Sequence, residues 1–231
     1  MRRFYKSVTV AAEGQGWRVA LDGRAIKTVA GRPQLVPTAA LAEAMAAEWA
    51  AQGEEIDPAA FVLRDMADYA LDVVATDRDA AIASLLRFAE TDTLCYRAED
   101  GEPLLERQQE LWEPLLTAAE ARWDIHFERI GGIIHRPQPA ETLKRLRGVL
   151  AALDDFTLAA LNTLASLSAS LVIGLAALED GAEAEALWAL ANLEEDWQAD
   201  LWGKDYEYLE RRERRLGNFS AAINFAQATR G

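Results

Sequence analysis

The sequence has little of the chemistry that most enzymes use. It contains one cysteine, Cys95, and two histidines, His126 and His135, in 231 residues. A single cysteine excludes a disulfide framework and a thiolate metal cage. Cys95 stands between Leu94 and Tyr96, a setting that favours a buried, inert thiol over a nucleophile. The histidines flank a Gly-Gly pair and would need additional carboxylates to hold a metal, so we predict two loop histidines, no metal site and no cofactor.

The sequence motifs of phosphate-binding loops and serine hydrolases are also absent. No GxxxxGK[ST] loop occurs, no GxGxxG follows a predicted strand, and there is no GxSxG elbow. Gly14-Gln15-Gly16 lies between two predicted strands and is interpreted as a hairpin loop. Carboxylates are plentiful, so a hydrolase-like enzyme with a carboxylate site stays open as an alternative. An interaction or scaffold domain for another protein is a third possibility.

Charge is unevenly distributed along the chain, whose net charge is −14. Residues 1–36 hold seven Lys/Arg and two Asp/Glu, and the remainder holds 17 Lys/Arg and 36 Asp/Glu. Such an acidic surface repels phosphate backbones, so no nucleic-acid partner is predicted. The acidity favours a basic protein surface as partner, or it only aids solubility.

One long stretch, Phe156–Leu178, carries no charge over 23 residues. About 20 apolar residues can span a bilayer, but a helix buried on all sides of its own domain gives the same pattern. The stretch contains six Ser, Thr and Asn side chains, and no Lys/Arg cluster flanks it. We therefore predict a buried central helix and no membrane insertion.

The period of the apolar residues changes near residue 37. Before it, Phe4–Val10, 17–21, Arg24–Thr28 and 34–36 read as short strands, with an Asp22-Gly23 tight turn. After it the period is helical. The predicted fold is α+β, with a small N-terminal antiparallel β domain and trailing helix at residues 1–55 and a larger all-helical domain at 56–231.

Helices are predicted throughout the second part of the chain. Thr38 is a candidate cap for the first of them, and Pro114 should kink or divide the fourth. The predicted helices cover residues 38–52, 63–76, 77–89, 103–123, 141–153, 156–178, 182–202 and 218–229.

The most informative polar stretch is Leu193–Gly203, LEEDWQADLWG. On a helix, Glu194 and Gln198 lie four residues apart and Trp202 continues the same side, whereas Glu195, Asp196 and Asp200 point elsewhere, to solvent. Beside them runs an apolar stripe of Leu190, Leu193, Trp197 and Leu201. Carboxylate and amide groups next to aromatic anchors are typical of a protein-binding patch, but a core-facing helix with a solvated acidic flank gives the same pattern.

Taken together, several segments in order along nearly the whole chain resemble the ATP12 family of assembly chaperones for the F1 sector of ATP synthase. They are RRFYKSVTV (2–10), VALDGRAIKT (19–28), VPTAALAEAMAAEWAAQ (36–52), FAETDTLCYR (88–97), LLERQQELWEPLL (104–116), SLSASLVIGLAAL (166–178) and ALANLEEDWQADLWG (189–203).

The resemblance implies an ATP-independent chaperone and not an enzyme. Such proteins bind the unassembled α subunit of F1-ATPase and prevent its aggregation until it joins the β subunit. The resemblance also implies an important glutamate in the C-terminal helical region, which is either Glu194 or Glu195. We expect the client to contact the patch of Glu194, Glu195, Gln198 and Trp202, with Trp49 and Gln52.

Three further expectations concern Trp49, the cellular location and the oligomeric state. Trp49 stands at helical spacing from Met45, which leaves a core role open for it. Mitochondrial members of the family carry a presequence and this chain begins without one, so a bacterial protein of the cytoplasm is expected, with mitochondrial-matrix relatives in eukaryotes. The oligomeric state stays open, with a monomer as the default expectation.

Overall fold

The computed structural model describes residues 1–132, 136–203 and 206–230. In these ranges the strands are β1 (Val8–Glu13), β2 (Gly16–Leu21), β3 (Arg24–Ala25), β4 (Tyr96–Arg97) and β5 (Ile130–Gly131). The helices are α1 (Ala39–Ala50), α2 (Val62–Tyr69), α3 (Arg78–Glu90), α4 (Pro103–Trp123), α5 (Ala140–Ala151), α6 (Asp155–Ser168), α7 (Leu171–Ala176), α8 (Ala184–Ala191), α9 (Leu193–Trp202) and α10 (Tyr206–Arg230).

The chain divides into two compact units. The first comprises Met1–Ala81, Asp154–Ala160 and Ala221–Gly231, and the second comprises Ile82–Leu153 and Leu161–Ser220. The predicted boundary between residues 55 and 56 does not coincide with this division, which keeps residues 1–81 together. As a statement about independently folding domains, that boundary stays a prediction.

The first unit contains the predicted N-terminal antiparallel sheet, in the order β1-β2-β3. The Asp22-Gly23 turn is confirmed, since both residues have positive φ, 49° and 78°. Gly14, with φ 61°, lies in the hairpin loop between β1 and β2. The strand predicted at Arg24–Thr28 ends at Ala25, and residues 34–36 contribute only a bridge from Val36 to Trp17.

Helix α1 packs on this sheet and supplies much of the first unit's core. Thr38 caps it as predicted, accepting a hydrogen bond from the Leu41 amide at 3.1 Å. Trp49, on its buried face, lies between Tyr5 and Phe61, with ring centroids 5.6 and 4.4 Å away. This aromatic cluster joins the N-terminal segment, α1 and the start of α2.

In the second unit, α4 has the bounds predicted from the sequence, and it is not divided. Pro114 lies inside the helix, as predicted, but the helix runs on through Trp123. Pro114 and Glu110, the residue one turn before it, are exposed. Water can therefore solvate the carbonyl group that proline leaves without a partner, so the helix continues.

The uncharged stretch 156–178 is buried, as predicted, but it forms two helices. Ala169 adopts a left-handed conformation, φ 50°, and ends α6. Ser170 then caps α7, accepting from the Ile173 amide at 3.0 Å. No helix within the described ranges is long and apolar enough to cross a bilayer.

A distant segment stabilises this break. Asp92, fully buried, accepts a hydrogen bond from the Val172 amide at 3.0 Å. Thr93 donates from its amide and hydroxyl to the Ala169 carbonyl, at 3.1 and 3.0 Å. Burial raises the pKa of Asp92 to about 6. The sequence does not show this contact because its partners lie about 80 residues apart.

Gly174 allows close packing of α7 on α6. A Cβ atom there would lie 2.9 Å from Leu161 Cδ1 and 3.2 Å from the Ala165 amide nitrogen. Only a residue without a side chain fits this approach without a shift of its neighbours.

The C-terminal helices differ from the prediction in two places. The helix predicted at 182–202 is interrupted at Asn192, whose side-chain amide donates to the Trp188 carbonyl at 2.8 Å, in competition with the backbone. The last helix, predicted at 218–229, is α10 and begins at Tyr206. Its first half is rich in Glu and Arg, which are good helix formers even without an apolar stripe.

Candidate functional site

Helix α9 carries the predicted patch, and α4 holds it in place. Gln108, fully buried in α4, donates from Nε2 to Glu194 Oε1 at 2.7 Å. Trp112, one turn further along α4, donates from Nε1 to the Leu190 carbonyl at 2.9 Å. Two side chains of α4 therefore fix the position of the α8–α9 segment.

Gln108 is itself fixed by the segment before α4. Its side-chain Oε1 accepts a hydrogen bond from the Ala98 amide at 2.8 Å, and its backbone carbonyl accepts one from the Arg97 guanidinium at 3.1 Å. Arg97 also forms an ion pair with Glu113 at 3.0 Å. Partial burial raises the pKa of Glu194, against the lowering effect of Gln108 and the nearby Arg97 charge. Glu194 is thus a positioned carboxylate, with one oxygen turned into the protein.

Glu195, the neighbouring glutamate, differs from Glu194. Its side chain is exposed, and the described residues give it no ion pair. The two candidates for the important glutamate therefore have distinct settings: Glu194 is anchored and Glu195 is free to meet a partner.

The other side of α9 is tied to α10. Asp196 accepts from the Tyr208 hydroxyl at 2.7 Å and from Arg212 Nε at 2.8 Å. We predicted from the sequence that Asp196 points to solvent, which is wrong, because Arg212 and Tyr208 come from a helix that the sequence pattern did not reveal. This contact sets the start of α10 beside α9.

A cleft of about 560 Å³ lies between these two helices, and we call it the α9–α10 cleft. Four of the six predicted site residues line it together. The full lining is Glu194, Glu195, Gln198, Ala199, Trp202, Gly203, Glu207, Tyr208 and Arg211. With three glutamates and one arginine, the lining is acidic. Lys204 and Asp205, between the two helices in sequence, lie outside the described residues.

Large apolar side chains are exposed at the end of α9 and in the first turn of α10, the segments that line this cleft. The indole of Trp202 is 84% exposed, and Leu201 is 64% exposed. From α10, Tyr206 is 79% and Leu209 is 47% exposed. The predicted stripe is therefore buried at Leu193 and emerges at Leu201. Exposed apolar groups near polar ones are a common feature of surfaces that contact other proteins.

The two remaining predicted residues, Trp49 and Gln52, belong to the first unit and are buried there, 8% and 6% exposed. Gln52 Oε1 accepts from the Asp57 amide at 2.7 Å, so this side chain is engaged within the protein. Burial supports a packing role for both residues, and their contact with a client stays a prediction.

The structure also describes the surroundings of Cys95 and His126. Cys95 is fully buried, and burial raises the pKa of its thiol. His126 Nδ1 lies 3.1 Å from Glu120, while His135 lies outside the described residues. Among the residues that the structure describes, no group of three or more His, Cys, Asp or Glu could hold a metal ion.

Sequence reasoning missed the contribution of α10, namely Glu207, Tyr208 and Arg211. A usable signal was present, since Glu207 and Arg211 stand four residues apart, a favourable spacing for an ion pair on one helix face. The hydrogen bond from Gln108 to Glu194 joins residues 86 positions apart and has no local signature.

Comparison with known proteins assigns the chain to a family. Residues 2–120 match the family described as ATP12 chaperone protein. The chain belongs to the ATP12 family. Protein atp12, mitochondrial, of Schizosaccharomyces pombe is 28% identical over 214 residues, which cover 87% of this chain and 74% of that protein.

Solved structures of two similar chains agree with this fold. Atp12 from Paracoccus denitrificans superposes with a TM-score of 0.89 at 38% identity, over 99% of this chain and 98% of that one. A protein from Agrobacterium tumefaciens superposes with a TM-score of 0.92 at 40% identity, over 98% of this chain and 85% of that one.

Membership decides between the classes of function left open by the sequence. This ATP12 family protein is a chaperone of F1-ATPase assembly and not an enzyme, since the matching family is described as a chaperone protein. The hydrolase alternative is therefore set aside. A chaperone acts on another protein, so the protein has a protein partner.

Proposed function

We propose that the protein binds the unassembled α subunit of F1-ATPase through the α9–α10 cleft and prevents its aggregation until it joins the β subunit. The observation that carries this proposal is the exposed Trp202 beside three glutamates. A subunit that waits for its neighbour exposes apolar interface surface, which a chaperone must cover reversibly. Aromatic side chains supply contact area, and surrounding charges steer the encounter and select the partner.

Within this surface the residues have different tasks. Trp202 and Leu201 offer apolar contact, and Glu195 offers a free negative charge to a basic group of the client. Glu194 keeps its geometry through Gln108, so its outward oxygen is preorganised. Gln198, one turn from both Glu194 and Trp202, supplies an amide that can donate and accept hydrogen bonds.

We also infer a cytoplasmic, ATP-independent action in a bacterium. The similarity to proteins of Paracoccus denitrificans and Agrobacterium tumefaciens supports a bacterial source, whereas the Schizosaccharomyces pombe relative is named mitochondrial. The absence from the sequence of a phosphate-binding loop supports independence from ATP.

The proposal is tested by light scattering of purified F1 α subunit that is diluted from denaturant with and without this protein. The wild type should suppress aggregation at stoichiometric amounts. Trp202→Ala and Glu195→Lys should each weaken protection about tenfold, the usual effect of losing a central aromatic or an interface charge. Both side chains are exposed, so the fold should be unchanged.

The matched control is Glu185→Lys, which makes the same charge change on the exposed side of α8. It should protect the α subunit like the wild type. Normal protection by both Trp202→Ala and Glu195→Lys would remove the α9–α10 cleft from the proposal. If the wild type does not protect the α subunit but captures a different protein from its source cell, the client assignment is wrong.

A further inference from the structure

A second cleft, of about 580 Å³, lies within the first unit, and its lining shares no residue with the α9–α10 cleft. We call it the sheet cleft. It is lined by Phe4, Tyr5, Leu21, Asp22, Arg24, Ala25, Ile26, Lys27, Val29, Trp49, Arg64 and Asp68. Its volume lies within the range of about 300–1,000 Å³ typical of ligand sites.

The lining of the sheet cleft combines an apolar base with exposed apolar groups. Tyr5, Leu21 and Trp49 are buried, while Phe4 is 64% and Val29 is 87% exposed. Phe4 packs edge-on against Tyr5 with ring centroids 5.3 Å apart, and Tyr5 packs the same way on Trp49. This row of aromatic rings offers a contact surface for an apolar or aromatic side chain.

The two carboxylates of the sheet cleft are already engaged. Asp22 accepts from the Ser7 and Lys6 amides at 2.8 and 3.1 Å, which hold the pKa of this carboxyl below its usual value. Asp68, buried at 7% exposure, accepts from Gln34 Nε2 and from the Val29 amide. Neither carboxylate therefore needs a cation from a ligand. Together they carry two negative charges, against the three positive charges of Arg24, Lys27 and Arg64 in the same lining.

Of the three basic side chains that line the sheet cleft, one is paired with a carboxylate and two are not. Arg64 pairs with Asp65 and stacks over the Phe61 ring at 4.2 Å. Arg24 and Lys27 are exposed, and within the described part of the chain neither forms an ion pair with a carboxylate. Two unpaired cations beside an aromatic base thus stand in a protein whose net charge is −14. Charge complementarity calls for an acidic occupant with an apolar anchor.

We propose that the sheet cleft binds an extended peptide segment of a partner protein, in which aromatic or aliphatic side chains alternate with carboxylates. The cleft is lined by Arg24 and Ala25 of β3, the last strand in the sheet order, and an extended segment suits a strand at the edge of a sheet. The proposal does not depend on the α subunit as client.

The test uses the full chain and a defined probe, an acetylated and amidated nine-residue peptide that alternates phenylalanine and aspartate. Binding is followed in two-dimensional NMR spectra through the indole N–H signal of Trp49, assigned with Trp49→Phe. The peptide should shift this signal saturably, and less so at high salt, because exposed charges are screened within about 8 Å at physiological ionic strength. A matched peptide with lysine in place of aspartate should not shift it.

The double variant Arg24→Glu/Lys27→Glu should weaken peptide binding about tenfold or more, since it replaces two attractive surface contacts by repulsive ones. The control variant Lys144→Glu/Arg147→Glu makes the same charge change on the exposed side of α5 and should bind like the wild type. Circular dichroism checks that both variants fold.

Three outcomes would overturn the proposal. The first is an equal response to the lysine peptide, and the second is unchanged binding by Arg24→Glu/Lys27→Glu. The third is a dimer in sedimentation analysis that this double variant abolishes, because the occupant would then be a second copy of the chain.

Discussion

Two variants of the hydrogen-bonded pair Gln108–Glu194 separate the effect of its charge on stability from the effect of its hydrogen bond. Glu194→Gln removes the negative charge but keeps an oxygen that can accept from Gln108. Because burial raises the pKa of Glu194, the wild type bears a cost for keeping this carboxylate ionised. We expect the free energy of unfolding of Glu194→Gln to lie within about 1 kcal/mol of the wild type at neutral pH.

Gln108→Leu removes the hydrogen bond to Glu194 and should destabilise the fold. It removes the donor to Glu194 and the acceptor of the Ala98 amide, 2.7 and 2.8 Å away. A hydrogen bond to a charged group contributes about 1.5–3 kcal/mol, and an unsatisfied buried group costs about 1–3 kcal/mol. We expect Gln108→Leu to lower the free energy of unfolding by about 2–4 kcal/mol.

Urea denaturation followed by tryptophan fluorescence measures both variants. The direction in which the free energy of unfolding changes with pH follows from the raised pKa of Glu194, because the folded wild type binds this proton more tightly than the unfolded chain does. The contribution of Glu194 to the free energy of unfolding of the wild type therefore falls as the pH rises above 4.5, its ordinary pKa. The Glu194→Gln variant should not show this fall, because its side chain does not titrate. A cost above about 2 kcal/mol for Glu194→Gln, or no cost for Gln108→Leu, would refute the assigned contact.

Three further predictions concern packing and titration. Gly174→Ala should lower the free energy of unfolding by about 1–2 kcal/mol through overpacking, whereas Gly148→Ala in α5, where a Cβ meets nothing within 4 Å, should raise it by up to about 1 kcal/mol in urea denaturation. The pKa of Asp92 is raised from 3.8 to about 6, so the free energy of unfolding of the wild type should fall by roughly 3 kcal/mol between pH 4 and pH 6. Asp92→Asn should not show this fall in urea denaturation, and an equal dependence of stability on pH in the two proteins would contradict the prediction. Burial and Asp196 raise the pKa of Tyr208 to about 12, so Asp196→Asn should bring the tyrosinate absorbance titration of Tyr208 closer to 10, and an unmoved titration would be inconsistent with the contact.

Elements with local causes were predictable from the sequence. The Asp22-Gly23 turn needs only the backbone preference of two residues, and the Thr38 cap depends on a hydrogen bond three positions away. Helix α4 has the predicted bounds because its composition favours a helix strongly enough to carry one exposed proline, Pro114.

Elements with distant causes were not predictable. The break between α6 and α7 at Ala169 depends on contacts from Asp92 and Thr93. The cap residue Ser170 is one of several Ser and Thr residues in the uncharged stretch, so the sequence does not single it out. The first half of α10 was missed because its residues are charged on most faces, so that apolar periodicity, the main signal for a helix, is weak there.

The candidate site shows the same division. The four-residue spacing of Glu194, Gln198 and Trp202 correctly predicted that these side chains share one side of a helix, and they line one cleft. The anchoring by Gln108 and the wall supplied by Tyr208 depend on tertiary packing. Burial of Trp49 followed from its spacing to Met45, which was an open alternative in the sequence.

Client binding at the α9–α10 cleft is tested most directly by hydrogen–deuterium exchange of this protein alone and in complex with purified F1 α subunit. Client binding at the α9–α10 cleft should slow exchange in the second half of α9 and in the first turns of α10, near Trp202 and Tyr208. Amides of α5, which contributes nothing to the cleft, should exchange at unchanged rates. Unchanged exchange around Trp202, together with slowed exchange on another surface, would contradict the account.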